Sequence, residues 1–495
     1  MSQMTRRWKM GIMVFLGLCL ASSPLWAEMG TMSLKSGDID VQFMGSLKTF
    51  PTFLSDVDFN SDDTNRDYIL DENGAMSDFS IRNEARIGWL GKGENWDFMI
   101  ILEADFNLNK DNGDRGADNT SPVDSGMTGE DFGIEKLNFT YNFGPFGILT
   151  GWNTKALDIQ TGGLVYGDDH PYVGFSGTVG ENFSWEALYL SIFDKIENMD
   201  KGAAIGPLDA DDLDWQVYSL KLTYQWGPMA ISPFYAYSDN SDEPAANAKT
   251  HYFGAEAYGK IGIVTPRLEL AYAVGDTDTY DRTGQSYDIS ALAAYGSVEV
   301  ELDPRFVPYI GLKYEEGDDD PNDDDIEAFN SITDISRYTP TFGMENAFIY
   351  RLVPTLGTHL YSGNFNFLPK ARGIAQTPGY GGISNSSSGD APGLIMLGLG
   401  AKGKFGDLSY QAQIMQFWFD TSDGMEELLG RDVDSDVGME FDLLLRYQFG
   451  PHFSVGNNIA VFNPGDAIED IWDSETASSN DEIAFMDTIE LTWTW

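Results

Sequence analysis

Val437-Gly438-Met439-Glu440-Phe441-Asp442-Leu443-Leu444-Leu445-Arg446-Tyr447-Gln448-Phe449 alternates between two kinds of side chain. One face carries Val437, Met439, Phe441, Leu443, Leu445, Tyr447 and Phe449; the other carries Gly438, Glu440, Asp442, Leu444, Arg446 and Gln448. A period of two over this length puts the apolar groups on one side of a β-strand and the charges on the other. The pattern recurs. Trp96, Phe98, Ile100, Leu102, Ala104, Phe106 and Leu108 alternate with Asp97, Glu103, Asp105 and Asn107; Leu137, Phe139, Tyr141 and Phe143 with Asn138, Thr140 and Asn142; and Tyr218, Leu220, Leu222, Tyr224 and Trp226 with Ser219, Lys221, Thr223 and Gln225. The last residues repeat it at Ile489, Leu491, Trp493 and Trp495, with Asp487 out of place on the same face. Many strands with a continuous, aromatic-tipped apolar face suit a barrel sealed in lipid better than a soluble sandwich or propeller.

Connections alternate between short and long. Tight turns are predicted at Gly91–Asn95, Gly144-Pro145, Gly180–Asn182, Gly227-Pro228, Gly262–Thr265, Asp303-Pro304, Val353-Pro354, Gly406-Asp407 and Gly450-Pro451. Three follow one grammar: Phe143, Trp226 and Phe449 each close a strand, and the Gly-Pro that follows cannot continue it. Polar, acidic stretches fall between the turns, at 57–76, 110–130, 158–171, 196–213, 238–249, 276–287, 317–340, 368–392, 420–436 and 464–482. The expected fold is all-β, a single-chain transmembrane antiparallel barrel over residues 28–495, with short periplasmic turns and long acidic extracellular loops. The count is about twenty strands, with eighteen as the alternative because 146–180 and 355–367 alternate poorly.

Arg6, Arg7 and Lys9 precede an apolar run from Met10 to Ala21, and Leu25-Trp26-Ala27 follows, so residues 1–27 read as a signal peptide. Cys19 is the only cysteine, which leaves the exported chain without disulfides or thiolate chemistry. The formal charge of −48 becomes −51 once those three basic residues are removed. Such a field excludes nucleic acid as a partner and favours cations.

The segment Gly438-Met439-Glu440-Phe441-Asp442-Leu443, followed by Ala460-Val461-Phe462-Asn463-Pro464-Gly465-Asp466, resembles the alginate-export family of bacterial outer-membrane barrels. That resemblance covers about thirty residues and implies a closed barrel that passes hydrophilic solute or polysaccharide.

If the apolar faces meet lipid, the charged faces line the lumen. The predicted pore-lining residues are Arg82, Glu84, Arg86, Glu103, Asp105, Glu256, Arg267, Glu269, Glu345, Arg351, Asp442 and Arg446. The wall is then close to neutral, and most negative charge belongs to loops. Facing rows of Arg and carboxylate would orient polar solutes, and would also brace the barrel. Asp318–Asp320 with Asp323–Asp325, the run Asp56, Asp58, Asn60 and Asp62, and the run Asp432, Asp434 and Asp436 carry hard oxygen ligands. Each departs from EF-hand spacing, so weak collective divalent binding is the most they imply, and no cofactor is expected.

No catalytic set stands out. His170 beside Asp168 and Asp169 is the one histidine with neighbouring loop carboxylates, as a barrel protease would need. The functional expectation is a passive channel for hydrophilic solutes or ions in the outer membrane of a Gram-negative bacterium. A polysaccharide-export pore is the alternative, and a barrel enzyme or docking barrel a distant third. Its partners would be outer-membrane lipid, the barrel assembly machinery, and hydrophilic solutes or polysaccharide.

Overall fold

The computed structural model describes residues 30–36, 39–55, 70–71, 74–75, 79–107, 128–194, 214–243, 246–280, 285–320, 323–333, 335–344, 392–472 and 482–495. They form a closed antiparallel barrel of eighteen strands. In chain order these are β1 (Ile39–Ser55), β2 (Phe79–Lys92), β3 (Trp96–Asn107), β4 (Thr128–Phe143), β5 (Phe146–Ala156) and β6 (Gly167–Val179). Then come β7 (Phe183–Asp194), β8 (Asp214–Trp226), β9 (Met229–Glu243), β10 (Ala246–Gly259), β11 (Val264–Tyr280) and β12 (Gln285–Val300). The last six are β13 (Val307–Glu315), β14 (Leu394–Phe405), β15 (Leu408–Trp418), β16 (Asp436–Gln448), β17 (Phe453–Pro464) and β18 (Ala484–Thr494).

Eighteen, the alternative count, is the observed one. β13 pairs directly with β14 from Val307↔Lys402 to Glu315↔Leu394, so no barrel strand lies between them. The turn expected at Val353-Pro354 lies outside the described residues. Two of the expected long loops are short. β9 and β10 run to Glu243 and from Ala246, and β11 and β12 run to Tyr280 and from Gln285. Strand pairing continues to Glu243↔Ala246 and Tyr280↔Gln285, where a polar composition alone reads as loop.

The first and last strands close the sheet. β1 and β18 pair from Ser46↔Thr494 to Ser55↔Phe485, skipping Phe50 and Pro51, where proline offers no N–H. Gly45 and Trp495 exchange both backbone hydrogen bonds, at 3.1 and 3.0 Å. A Cβ at Gly45 would stand 2.3 Å from the Trp495 ring, so any side chain here requires that ring to move. A short strand, Gly30–Ser36, continues along β1 beyond that point, pairing with residues 39–45.

At the turn end, β4–β5 and β8–β9 are joined by two-residue Gly-Pro links whose Gly144 and Gly227 have φ of 70° and 61°. The outer face there carries Phe143, Phe146, Trp226, Phe405, Phe449 and Trp495, all exposed. Toward the loop end a second ring cluster runs across the outer face. Tyr189 and Tyr218 lie 5.3 Å apart, Tyr218 and Tyr237 6.4 Å, and Tyr237 and His251 4.9 Å. On β8 the two levels are Trp226 and Tyr218; eight residues of tilted strand separate them by about 20 Å. Between them Leu268, Leu270, Ile310, Leu312, Leu397 and Leu399 face outward.

Two outer-face positions differ from simple alternation. Val437 is fully buried, because Gly438 takes φ 131° and the β15–β16 register shifts between Phe417 and Trp418, rotating Val437 inward. Asp487 does face outward, with no register shift beside it on β17; Asn457 Nδ2 donates to its Oδ1 at 2.5 Å. Gly45→Val should displace Trp495 and open the β1–β18 seam. Loss of heat-modifiable migration on gels would report it, and normal migration would refute the role given to this contact.

Candidate functional site

Among the described residues, two segments fold into the barrel from the loop end. The first, residues 157–166, links β5 to β6, and its Leu164 and Val165 are 0% exposed. The second spans 323–333 and 335–344 in the connection from β13 to β14, and buries Phe329, Ile332, Phe342 and Met344. They bind each other through backbone: Ile332 N donates to Val165 O at 2.9 Å, Gly167 N to Thr333 O at 3.0 Å, and Ile335 N to Gly163 O at 3.3 Å. The wall behind them makes room by carrying small side chains. Ala271 and Ala273 of β11 and Ala291 and Ala293 of β12 are buried at 0–1% exposure on the inner face. An inner face of alanine, where a water-filled barrel would place polar groups, is the sequence signal that something covers it.

The second segment is anchored by polar side chains of the wall. Thr341 Oγ1 and Arg267 Nη1 meet Glu299 Oε1 at 3.2 and 2.8 Å, and Lys402 Nζ reaches both Glu299 Oε1 (2.9 Å) and Pro340 O (2.7 Å). Gln413 Nε2 donates to Phe342 O (3.1 Å) and Asp442 Oδ2 (2.9 Å), while Tyr309 donates to Gln413 Oε1 at 3.0 Å. The first segment seats on Glu269, whose Oε2 accepts from Thr161 Oγ1 and Gly162 N, both at 2.7 Å. Glu256 sits beside it and is held by Lys221 Nζ at 2.6 Å. Burial pushes the Asp158 carboxyl of this segment above the ordinary carboxylate range.

The opposite arc of wall holds a separate ion network. Glu84 lies 3.4 Å from Lys48 Nζ and 3.2 Å from Arg86 Nε. Arg86 also bonds Glu103, and reaches Glu135 at 2.8 Å. Arg82 is 4.0 Å from Glu84 and lies over the Phe50 ring at 5.6 Å. Lys136 is 3.5 Å from Asp169, Lys155 is 2.8 Å from Glu186, and Arg446 makes a bidentate contact to Glu490 at 2.9 and 3.1 Å. Asp105 stands opposite Glu84 in the β2–β3 ladder. Glu345 and Arg351 lie outside the described residues.

The sequence-predicted residues thus divide. Arg82, Glu84, Arg86, Glu103 and Arg446 belong to the arc that the two described inserted segments leave uncovered, where Arg82 is 37% and Arg446 33% exposed at the side chain. Glu256, Arg267, Glu269 and Asp442 lie behind the inserted segments. Glu135 escapes simple alternation because a bulge, between Ile101↔Lys136 and Leu102↔Ile134, brings it inward beside Lys136. His170 accepts or donates to Tyr166 OH at 3.1 Å through Nδ1, and its Nε2 is 3.9 Å from Asp168. Asp318 is 2% exposed and accepts from the backbone N–H groups of Asp320 and Glu327, each at 3.2 Å. Among the described residues no three metal-ligating side chains converge.

The barrel is similar to solved structures. OccAB2 of Acinetobacter baumannii superposes with a TM-score of 0.50 at 12% identity, covering 92% of this chain and 98% of that one. The BenF-like porin from Pseudomonas fluorescens Pf-5 gives 0.49 at 9% identity, with 92% and 98% covered. Pseudomonas aeruginosa OpdK with vanillate gives 0.48 at 10%, also with 92% and 98% covered. At these identities the likeness is one of fold. No protein-family model and no curated protein matches the sequence.

Arg86→Met should leave Glu84, Glu103 and Glu135 facing one another without their shared cation. Breaking a buried pair in this way costs about 3–5 kcal/mol. Guanidinium unfolding of the folded barrel should register the loss, and an unchanged midpoint would show that the network contributes nothing to stability.

Proposed function

We propose that the chain is an outer-membrane channel for passive passage of small hydrophilic solutes or ions. The observation that carries this reading is the joint geometry of the barrel. A closed ladder leaves no backbone edge, the outer face is apolar between two aromatic levels, and the inner face is charged and partly covered by two inserted segments. A belt roughly 20–25 Å tall between aromatic girdles suits the lipid core, where only closed barrels and helices satisfy their backbone. The fold likeness to OccAB2 supports the same barrel architecture. Residues 1–27 act in this reading as the export signal, and lipid and the barrel assembly machinery are the partners of biogenesis.

The solute path runs along the arc formed by β16–β18 and β1–β7. Arg82, Glu84, Arg86, Glu103 and Arg446 line it, while Glu256, Arg267, Glu269 and Asp442 support the inserted segments. On this arc cations and carboxylates alternate and pair, so the field there acts across the path and favours polar molecules of either sign. Two segments lodged inside the barrel favour small solutes over a polymer, so channel function ranks ahead of polysaccharide export. The Gly438–Asp466 likeness to the export family falls on elements that shape the loop end of β16 and β17: the Gly438 bulge and the Gly465 N–H bonded to Val437 O at 3.0 Å.

Reconstitution in a planar bilayer tests the reading. Discrete conductance steps are expected, and deletion of residues 159–165 should enlarge each step roughly twofold or more, as widening a constriction does. Absence of any conductance from correctly folded barrel would reject it. The lipid contact has its own check: Leu270→Arg should destabilise the inserted barrel by about 2–4 kcal/mol in unfolding titrations from vesicles. A neutral effect would place Leu270 outside the membrane.

A further inference from the structure

The seat of the first inserted segment contains more acceptors than protons. Asp158 Oδ2 receives Val165 N at 2.6 Å, and Glu269 Oε2 receives Thr161 Oγ1 and Gly162 N. The second oxygens, Asp158 Oδ1 and Glu269 Oε1, are enclosed without a hydrogen-bond partner, although the Tyr166 N–H also acts on the Asp158 carboxyl. The two carboxyl groups lie within hydrogen-bonding reach of each other. Thr161 has one hydroxyl proton and three acceptors around it: Glu269 at 2.7 Å, the Asp158 carbonyl at 3.1 Å and Glu256 at 3.2 Å. It cannot serve them all.

No cation resolves the shortage. Lys221 of β8 bonds Glu256 and acts on Asp158 only through its field, so one ammonium faces three carboxyls. The other titratable groups facing the seat are Tyr258 of β10 and Tyr295 of β12, both phenols; Tyr166 faces it with its backbone N–H, which acts on the Asp158 carboxyl, while its hydroxyl bonds His170. Arg267, two residues from Glu269 on β11, is taken by Glu299. The second segment presents Ser336, whose Oγ donates to Gly162 O at 3.1 Å with Lys313 behind it at 3.2 Å. Two enclosed carboxyl groups in contact cannot both be ionised without a countercharge; one proton between them supplies the missing donor to both oxygens at once.

We propose that Asp158 and Glu269 share a single proton, and that this proton latches segment 157–166 inside the lumen, making the passage sensitive to alkaline pH. Burial favours the protonated form of Asp158 in the docked state. A group held protonated by docking stabilises the docked state at low pH, and that stabilisation disappears as pH rises through its docked titration. Once both carboxyls are ionised, their repulsion is relieved by the segment leaving its seat. The backbone bonds from Ile332, Ile335 and Gly167 then loosen the second segment with it. Buried carboxyl groups titrate as high as about 8–9, which places the release on the alkaline side of neutrality.

The inference rests on the channel reading only for its conductance readout, so two measurements are paired. In planar bilayers, the step conductance of the wild-type barrel should be roughly twofold or more larger at about pH 10 than at about pH 6. In Asp158→Asn the amide donates to Glu269 at every pH, and the increase should vanish; Glu269→Gln, which donates in the other direction, should behave alike. In parallel, maleimide labelling of Leu164→Cys in a Cys19→Ser background is normalised to labelling at the exposed turn position Asp407→Cys. The normalised rate should rise with pH in the wild-type pair and stay flat with Asp158→Asn. A rise in labelling that Asp158→Asn abolishes, without conductance at any pH, would uphold the latch and reject the channel. Labelling that is flat from pH 6 to 10, or a rise that persists unchanged in both variants, would overturn the latch.

Discussion

The structure depends on one constraint: the backbone ladder must close on itself. A sheet with an apolar face cannot leave a row of unpaired N–H and C=O groups along its border when that border lies in an apolar medium. Here the seam is the pairing of β1 with β18, locked by the reciprocal bonds of Gly45 and Trp495 and by Thr52 and Thr488 hydroxyls 3.1 Å apart. Closure then dictates the rest. It fixes an inside and an outside for every strand, so side-chain alternation becomes a partition between two environments. With the seam antiparallel like every other barrel pairing, it also makes the strand count even.

The inside is not uniform. Around β1–β7 and β16–β18 charge is met by charge, with Arg86 gathering three carboxylates and Arg446 clasping Glu490. Around β9–β12 the inner face instead carries alanines and hydroxyls that accept a second layer of polypeptide. Those two solutions answer the same problem, since a polar group removed from water needs a partner wherever it lies. The inserted segments satisfy their backbone through each other and through wall side chains such as Gln413 and Lys402.

Much of this was legible in the sequence, and the exceptions have local causes. The strands of strict alternation, 96–107, 137–143, 218–226 and 438–448, run where expected, and Gly-Pro turns close the last three. Register slips were not legible. The extra residue that turns Glu135 inward and the Gly438 bulge that buries Val437 depend on the partner strand, which no single segment encodes. Inward folding of 157–166 was equally hidden, because a Gly- and Asp-containing stretch reads the same in solvent or in a lumen. The alanine pairs of β11 and β12 were the available clue. Asp487 violates the pattern in both views, and only the fold brings Asn457 beside it.

The seam has a kinetic meaning as well. Every other pairing between the eighteen barrel strands joins consecutive strands, whereas the Thr52–Thr488 contact spans 436 positions. By loop-closure scaling, joining ends so far apart costs roughly 5 kcal/mol of chain entropy, against well under half that for a two-residue hairpin. Hairpins can form singly and early, but nothing compensates the seam until the whole curved sheet exists to align it. Pro51, which removes one ladder bond near the middle of β1, makes that final zippering shallower still. The barrel is therefore a structure of high contact order resting on one late, nonlocal event, and its assembly is governed by how long an open sheet can be kept from pairing with the wrong edge.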